Sequence, residues 1–223
     1  MAIADNIKTI KNSIPEHVTL VAVSKTKPNS DILEAYECGH KIFGENKVQD
    51  LTRKYEELPK DIEWHFIGHL QSNKIKYIAP FVSLIHGVDS QKLLIAINKA
   101  GIKNNRKIKC LLQVHIAQES TKFGFSEDEL IQMLNEDSIA TLNNIEICGV
   151  MGMATNTPDT AAISKEFAGL KEIFTKLKEK YFSKHENFKH ISMGMSGDYT
   201  IAIEQGSTMI RVGSSIFGQR NYH

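Results

Sequence analysis

The chain has 223 residues, 41% of them hydrophobic and 24% charged, and its 27 basic residues nearly cancel 26 acidic ones for a net charge of +1. That length suits one large α/β domain, and with no long basic run to neutralise a phosphate backbone, nucleic acid is not expected as a partner. No apolar run approaches the roughly 20 residues a membrane span needs, so a soluble cytoplasmic protein is expected, and the near-neutral balance and single tryptophan leave a monomer as the expectation.

At the N-terminus, Ile3, Ile7, Ile10 and Ile14 share one helical face while Asp5, Lys8 and Lys11 interrupt any secretory apolar core. An amphipathic helix is expected, not a signal. Short apolar runs then alternate with helical patterns along the whole chain. Eight strands are expected at Leu20 to Ser24, Lys41 to Gly44, Glu63 to Ile67, Ser83 to Gly87, Lys109 to His115, Glu146 to Met151, His190 to Met193 and Met209 to Val212.

Between them, Leu93, Leu94, Ile97 and Ala100 form one stripe, and Ser126 with Glu129 signals a capping box. After Pro158, Ile163, Phe167, Leu170, Phe174, Leu177 and Tyr181 recur at alternating spacings of four and three. Eight βα units in this length, without G-x-G-x-x-G after the first strand, favour closure. The expected fold is a single (β/α)₈ TIM barrel over residues 1–223 with an N-terminal amphipathic helix.

Three separated cysteines, Cys38, Cys110 and Cys148, fit no metal or redox spacing and are expected to be reduced and buried. His65 and His69 have the spacing of a helical zinc pair, but Trp64-His65-Phe66-Ile67 reads as a strand, where the rings would not converge. No metal site is expected.

A barrel of this kind works at the C-terminal ends of its strands. The first strand ends Val21-Ala22-Val23-Ser24-Lys25, placing Lys25 at the rim of a largely apolar barrel, where poor solvation frees an amine to attack a carbonyl. Lys27 shares its parity but lies about 6–7 Å further along an extended chain and precedes Pro28, so it is expected out over the loop. At the other end, Ser192 to Asp198 and Arg211 to Ser215 follow strands seven and eight with small residues that leave room for a phosphate. Closure brings strand eight beside strand one, so a Schiff-base lysine and a phosphate cradle address one molecule. Pyridoxal 5′-phosphate (PLP) answers both.

Arg211 shares parity with Gly213 and points at the same pocket, unless it pairs with an acid such as Glu204. An arginine facing the pyridine nitrogen disfavours its protonation and weakens the ring as an electron sink. Such a site suits holding PLP, or limited racemisation, better than transamination. Asn46, after strand two, is a candidate for the ring face or its O3′, with a helix N-cap as the alternative role.

These segments resemble the PLP homeostasis proteins, an alanine racemase N-terminal-domain-like family. The likeness rests on Ala22 to Pro28, Phe43-Gly44-Glu45-Asn46, Trp64 to Lys74, Ser192 to Asp198 and Met209 to Gly218, and it extends over nearly the full chain. It implies a fold-type III PLP barrel with the cofactor on Lys25, the phosphate near Ser196, Gly213 and Ser214, Arg211 facing the pyridine nitrogen, and Asn46 matching the family asparagine. Ser214 stands where a threonine is frequent. His115 stands near a usual asparagine, ahead of Glu119, Lys122 and Gly124, which leaves the pocket contact after strand five open.

The implied role is to carry or buffer PLP, with PLP-dependent apo-enzymes as possible recipients, rather than catalysis. The alternative is a PLP-dependent racemase of small amino acids, which needs an acid/base on each face of the substrate. In similar racemases the second base is a tyrosine from a further β domain, whereas this sequence ends at His223. Tyr199 and Tyr222 are the substitutes to examine. A PLP-free Schiff-base aldolase is a third reading, opposed by the strand-one lysine and the family motifs.

Overall fold

The computed structural model describes residues 2–118 and 123–219. Helix α1 (Ile3–Ser13) leads into β1 (Thr19–Val23), followed by β2 (Ile42–Glu45), β3 (Glu63–Phe66), β4 (Leu84–Val88), β5 (Ile108–Gln113), β6 (Ile145–Met151), β7 (His190–Met195) and β8 (Met209–Val212). All pair in parallel with their chain neighbours, and β8 returns to β1 in the register Thr19↔Met209 and Val21↔Arg211. The sheet is a closed eight-stranded barrel, as expected.

The crossovers are helical: α2 (Asn29–Glu37), α3 (Val48–Glu57), α4 (Ile75–Ile78), α5 (Gln91–Lys103), α6 (Glu127–Leu134), α7 (Asp137–Ala140), α8 (Thr160–Lys180) and α9 (Tyr199–Glu204), with α10 (Ser214–Phe217) after β8. Their boundaries follow from local chemistry. Ser126 and Glu129 form the capping box that opens α6, and Asp159 accepts from the Ala161 and Ala162 amides to open α8. Along α8, Ile163, Phe167, Leu170, Phe174 and Leu177 are buried, and Tyr181 packs against the same core. In α1, Ile7 and Ile10 are buried while Ile3, and Ile14 just after the helix, are partly so.

Strand parity divides the core into two. Residues such as Ala22, Phe43, Trp64 and Phe66 face the helices in the large outer core, while Val21, Leu84, Leu111, Cys148, Met151 and Met209 pack inside the barrel. The interior is not as apolar as the sequence suggests. His65, His86, Gln113, Ser192 and Arg211 are all buried, and His86 on β4 reaches Ser192 on β7 at 2.9 Å. Those strands are not neighbours, so the contact crosses the barrel lumen. Among the described residues no helix is long and apolar enough to cross a membrane.

Candidate functional site

A cavity of about 430 Å³ opens at the C-terminal end of the barrel. Lys25, Asn46, Ser196, Arg211, Gly213 and Ser214 all line it. Its volume lies within the roughly 300–1,000 Å³ usual for small-molecule sites.

Lys25 follows β1 inside a turn closed by the Lys27 amide on the Ser24 carbonyl at 3.0 Å, with Thr26 at φ 66°, a left-handed value uncommon for threonine. Ser24 is itself pinned. Its Oγ donates to Glu45 Oε1 at 2.6 Å, and its carbonyl accepts from Lys54 Nζ at 2.9 Å. Lys27 also lines the cavity rather than standing clear of it, but its ammonium donates to the carbonyls of Phe217 at 2.7 Å and Gln219 at 3.3 Å, tying the end of α10 to the β1 loop.

Asn46 is not a helix cap. The N-cap position of α3 belongs to Lys47. Asn46 is held at the cavity by close packing of its backbone against Gly68, where an added Cβ would come within 2.3 Å of the Asn46 carbonyl oxygen. The motif around Gly68 is thus a packing requirement of the β2 and β3 ends.

On the far side, β7 and β8 supply polar groups. Gly194 takes φ 96° and lies so close to α9 that a Cβ would meet that of Ala202 at 2.7 Å, which turns the chain sharply into the Met195-Ser196-Gly197-Asp198 loop. Asp198 Oδ1 accepts from the Met195 amide at 2.6 Å, and Ser196 Oγ accepts from the Gly213 amide at 3.1 Å. Because that oxygen is already accepting, the Ser196 hydroxyl retains its own proton to donate. Gly197 faces open space.

Arg211 is buried at 4% exposure, and its partner is not Glu204, which is exposed on α9. Its Nη1 donates to Ser192 Oγ at 2.6 Å and its Nη2 to the Gly152 carbonyl at 3.1 Å. Burial pushes this guanidinium down to about 10, with the charge of Asp198 opposing, so it is cationic at neutral pH. Behind it, His86 Nε2 lies 3.0 Å from His65 Nδ1. Burial is the main reason both imidazoles lie below the ordinary 6.5, His65 at about 3 and His86 well below; His190 and Lys109 add to it at His65, and His65, Arg211 and His190 at His86.

At the end of β5, Gln113 lines the cavity and donates to the Phe123 carbonyl at 2.8 Å; His115 Nε2 lies 2.8 Å from the Ala117 carbonyl. Glu119 and Lys122 lie outside the described residues, as does Tyr222. Tyr199 begins α9 and is not among the residues lining the cavity. At the mouth, His69 stacks on Phe123 with ring centroids 4.2 Å apart and its Nδ1 lies 2.9 Å from Asp89, so His65 and His69 serve different surroundings. Cys38 is exposed, against expectation, while Cys110 and Cys148 are buried. Sequence reasoning passed over His86, Ser192 as a ligand of Arg211, and Gln113. The parity of His86 with Leu84 on one strand was the available signal for the first.

The model of the alanine racemase N-terminal domain matches residues 1–221. Curated relatives named pyridoxal phosphate homeostasis protein include those of Aquifex aeolicus, 38% identical over 91% of this chain and 87% of its own length, and of Escherichia coli K12, 35% identical over 99% and 97%. Among solved structures, PipY of Synechococcus elongatus with PLP bound superposes with a TM-score of 0.88 at 33% identity, covering 97% of this chain and all of that one. Alanine racemase from Bartonella henselae shares the fold alone, with a TM-score of 0.74 at 16% identity over 61% of its length.

Proposed function

The chain belongs to the alanine racemase N-terminal domain family, and from that premise we propose that it binds PLP at the barrel mouth and carries or buffers it in cofactor homeostasis without turning over a substrate. The observation that carries this reading is convergence: Lys25, a buried cationic Arg211 and the Ser196, Gly213 and Ser214 loops line one cavity.

The residues fit the group. PLP supplies an aldehyde, a phosphate and an electron-withdrawing ring. Lys25 would hold the group through its Nζ amine, the nucleophile that a carbonyl cofactor requires. The Ser196 hydroxyl, with its oxygen already accepting from Gly213, would donate to the phosphate, and Ser214, at the start of α10, lines the same cavity. Arg211 would hold the ring nitrogen and Asn46 the ring face. A guanidinium at that nitrogen would disfavour its protonated form and weaken the ring as the electron sink that transamination relies on. The racemase reading needs a second base opposite Lys25, and Tyr199 does not line the cavity.

Titrating the purified protein with PLP tests the proposal. A saturable absorption band in the near-ultraviolet to visible range, formed one per chain and released to a PLP-requiring apo-enzyme in the presence of a competing PLP trap, supports a carrier. Stoichiometric binding with inversion of L-alanine at enzymatic rates overturns it in favour of a racemase.

A further inference from the structure

We infer that His86 and His65 are positioning residues for Arg211, forming with Ser192 a one-way column of hydrogen bonds through the barrel that holds the guanidinium, tethered by neutral partners, as a cationic donor at the cavity. The inference deepens the PLP reading, since it concerns how the ring nitrogen is addressed.

The direction of the column follows from its first member. A guanidinium only donates, so with Arg211 Nη1 at 2.6 Å the Ser192 oxygen accepts. The Ser192 hydroxyl proton then has His86 Nδ1, 2.9 Å away, as its acceptor among the described contacts. That places the proton of His86 on Nε2, which donates to His65 Nδ1 at 3.0 Å. His65 in turn carries its proton on Nε2, at the end of the column. That end faces a second cavity of about 250 Å³ at the opposite mouth of the barrel, lined among others by Glu63, Lys109, Asn187 and His190. Reversing the Ser192–His86 link would require another acceptor for the Ser192 proton, and among the described contacts His86 Nδ1 is the one it has.

The charge of the column is as informative as its direction. A buried arginine is ordinarily paired with a carboxylate, which stabilises it but cancels its field. Here both tethers, Ser192 and the Gly152 carbonyl, are neutral, and so are the two imidazoles behind them. Two fixed contacts on different nitrogens set the plane of the guanidinium, and nothing in the column offsets its charge. Arg211 therefore presents its positive charge in a defined direction, with the charge of Asp198 acting on it from outside the column.

Two measurements test this. In the first, long-range proton–nitrogen spectra of the uniformly ¹⁵N-labelled protein without PLP report the tautomers of His65 and His86. Both are expected as the Nε2–H form, unchanged from pH 8 to 6 despite Lys109, His190 and Glu63 facing His65 and Arg211 and His190 facing His86. A proton on Nδ1 of either ring overturns the column whether or not the protein binds PLP.

In the second, PLP labelled with ¹⁵N in its ring is bound to wild type, His86→Leu, Ser192→Ala and His86→Gln. Wild type is expected to keep the ring nitrogen unprotonated across pH 6 to 8. Leucine at 86, or alanine at 192, breaks the column and is expected to raise the apparent pKa of that nitrogen by at least one pH unit. Glutamine at 86 both accepts and donates and is expected to retain the wild-type profile. An unshifted ring nitrogen in the broken variants, or a glutamine variant that behaves like leucine, overturns the inference, because a merely structural role lowers affinity without moving this titration. Absence of PLP binding by wild type is a failure of the proposed function instead, and leaves the tautomers to judge the column.

Discussion

Lys54 Nζ lies 2.7 Å from Glu45 Oε1, and neither side chain reaches solvent. The pair sits between β2 and α3, and both partners also bond Ser24, the residue before Lys25. A buried ion pair adds little net stability, but removing one partner strands the other charge in the core. Glu45→Ala is expected to cost about 3–5 kcal/mol, whereas Glu45→Met combined with Lys54→Met recovers most of that loss. Urea denaturation of the two variants beside the wild type checks this. Equal loss in the single and double variants contradicts it.

The phosphate loops are tested by ligand comparison. Ser196→Ala and Ser214→Ala each remove a hydroxyl expected to donate to a charged group, worth about 1.5–3 kcal/mol. Combined, they are expected to weaken PLP by at least tenfold more than pyridoxal, which lacks the phosphate. Equal weakening of the two ligands, measured by equilibrium titration, removes the phosphate from these loops.

Much of this was legible in the chain. The eight strands were readable because each β-run is bounded by turn residues and followed by a stripe such as Ile163 to Leu177. The six candidate residues were readable because strand ends define the working face of a barrel, and all six line its cavity. What escaped was pairing across the lumen. His86 and Ser192 are 106 residues apart, and no local pattern announces that opposite strands meet inside a closed sheet. The partner of Arg211 was sought one helix away, at Glu204, because sequence proximity is visible and lumen geometry is not. Cys38 was expected to be buried, but it caps the exposed C-terminal end of α2.

The buried imidazoles make stability depend on pH. Burial, with Lys11 assisting and the Ile42 carbonyl opposing, holds His40 down to about 4, and His65 stands at about 3. In the unfolded chain each binds a proton near pH 6.5, so between that value and the lowered one the unfolded state holds more protons. Stability is fully present above about pH 6.5 and falls as the pH drops through this window, by about 1.4 kcal/mol per pH unit for each such histidine. Urea midpoints measured from pH 7.5 to 5 are expected to fall, and less steeply in His40→Gln. A flat profile contradicts the burial of neutral rings.

Thiol reactivity should divide one to two. Cys38 is exposed, whereas burial raises the Cys148 thiol to about 11 and Cys110 further. A disulfide reagent at pH 8 is expected to modify one thiol per native chain and three after denaturation. Rapid modification of two or more in the native protein contradicts the packing of β5 against β6.

Lys25 is the residue proposed to hold PLP. Borohydride reduction of the loaded protein, followed by peptide mass spectrometry, reads it directly. The phosphopyridoxyl label is expected on Lys25 alone, with Lys27 unlabelled because its ammonium is held by the Phe217 and Gln219 carbonyls, and Lys25→Ala is expected to remain folded and unlabelled. A label on Lys27, or undiminished labelling of the Lys25→Ala variant, rules out Lys25 as the residue that holds PLP.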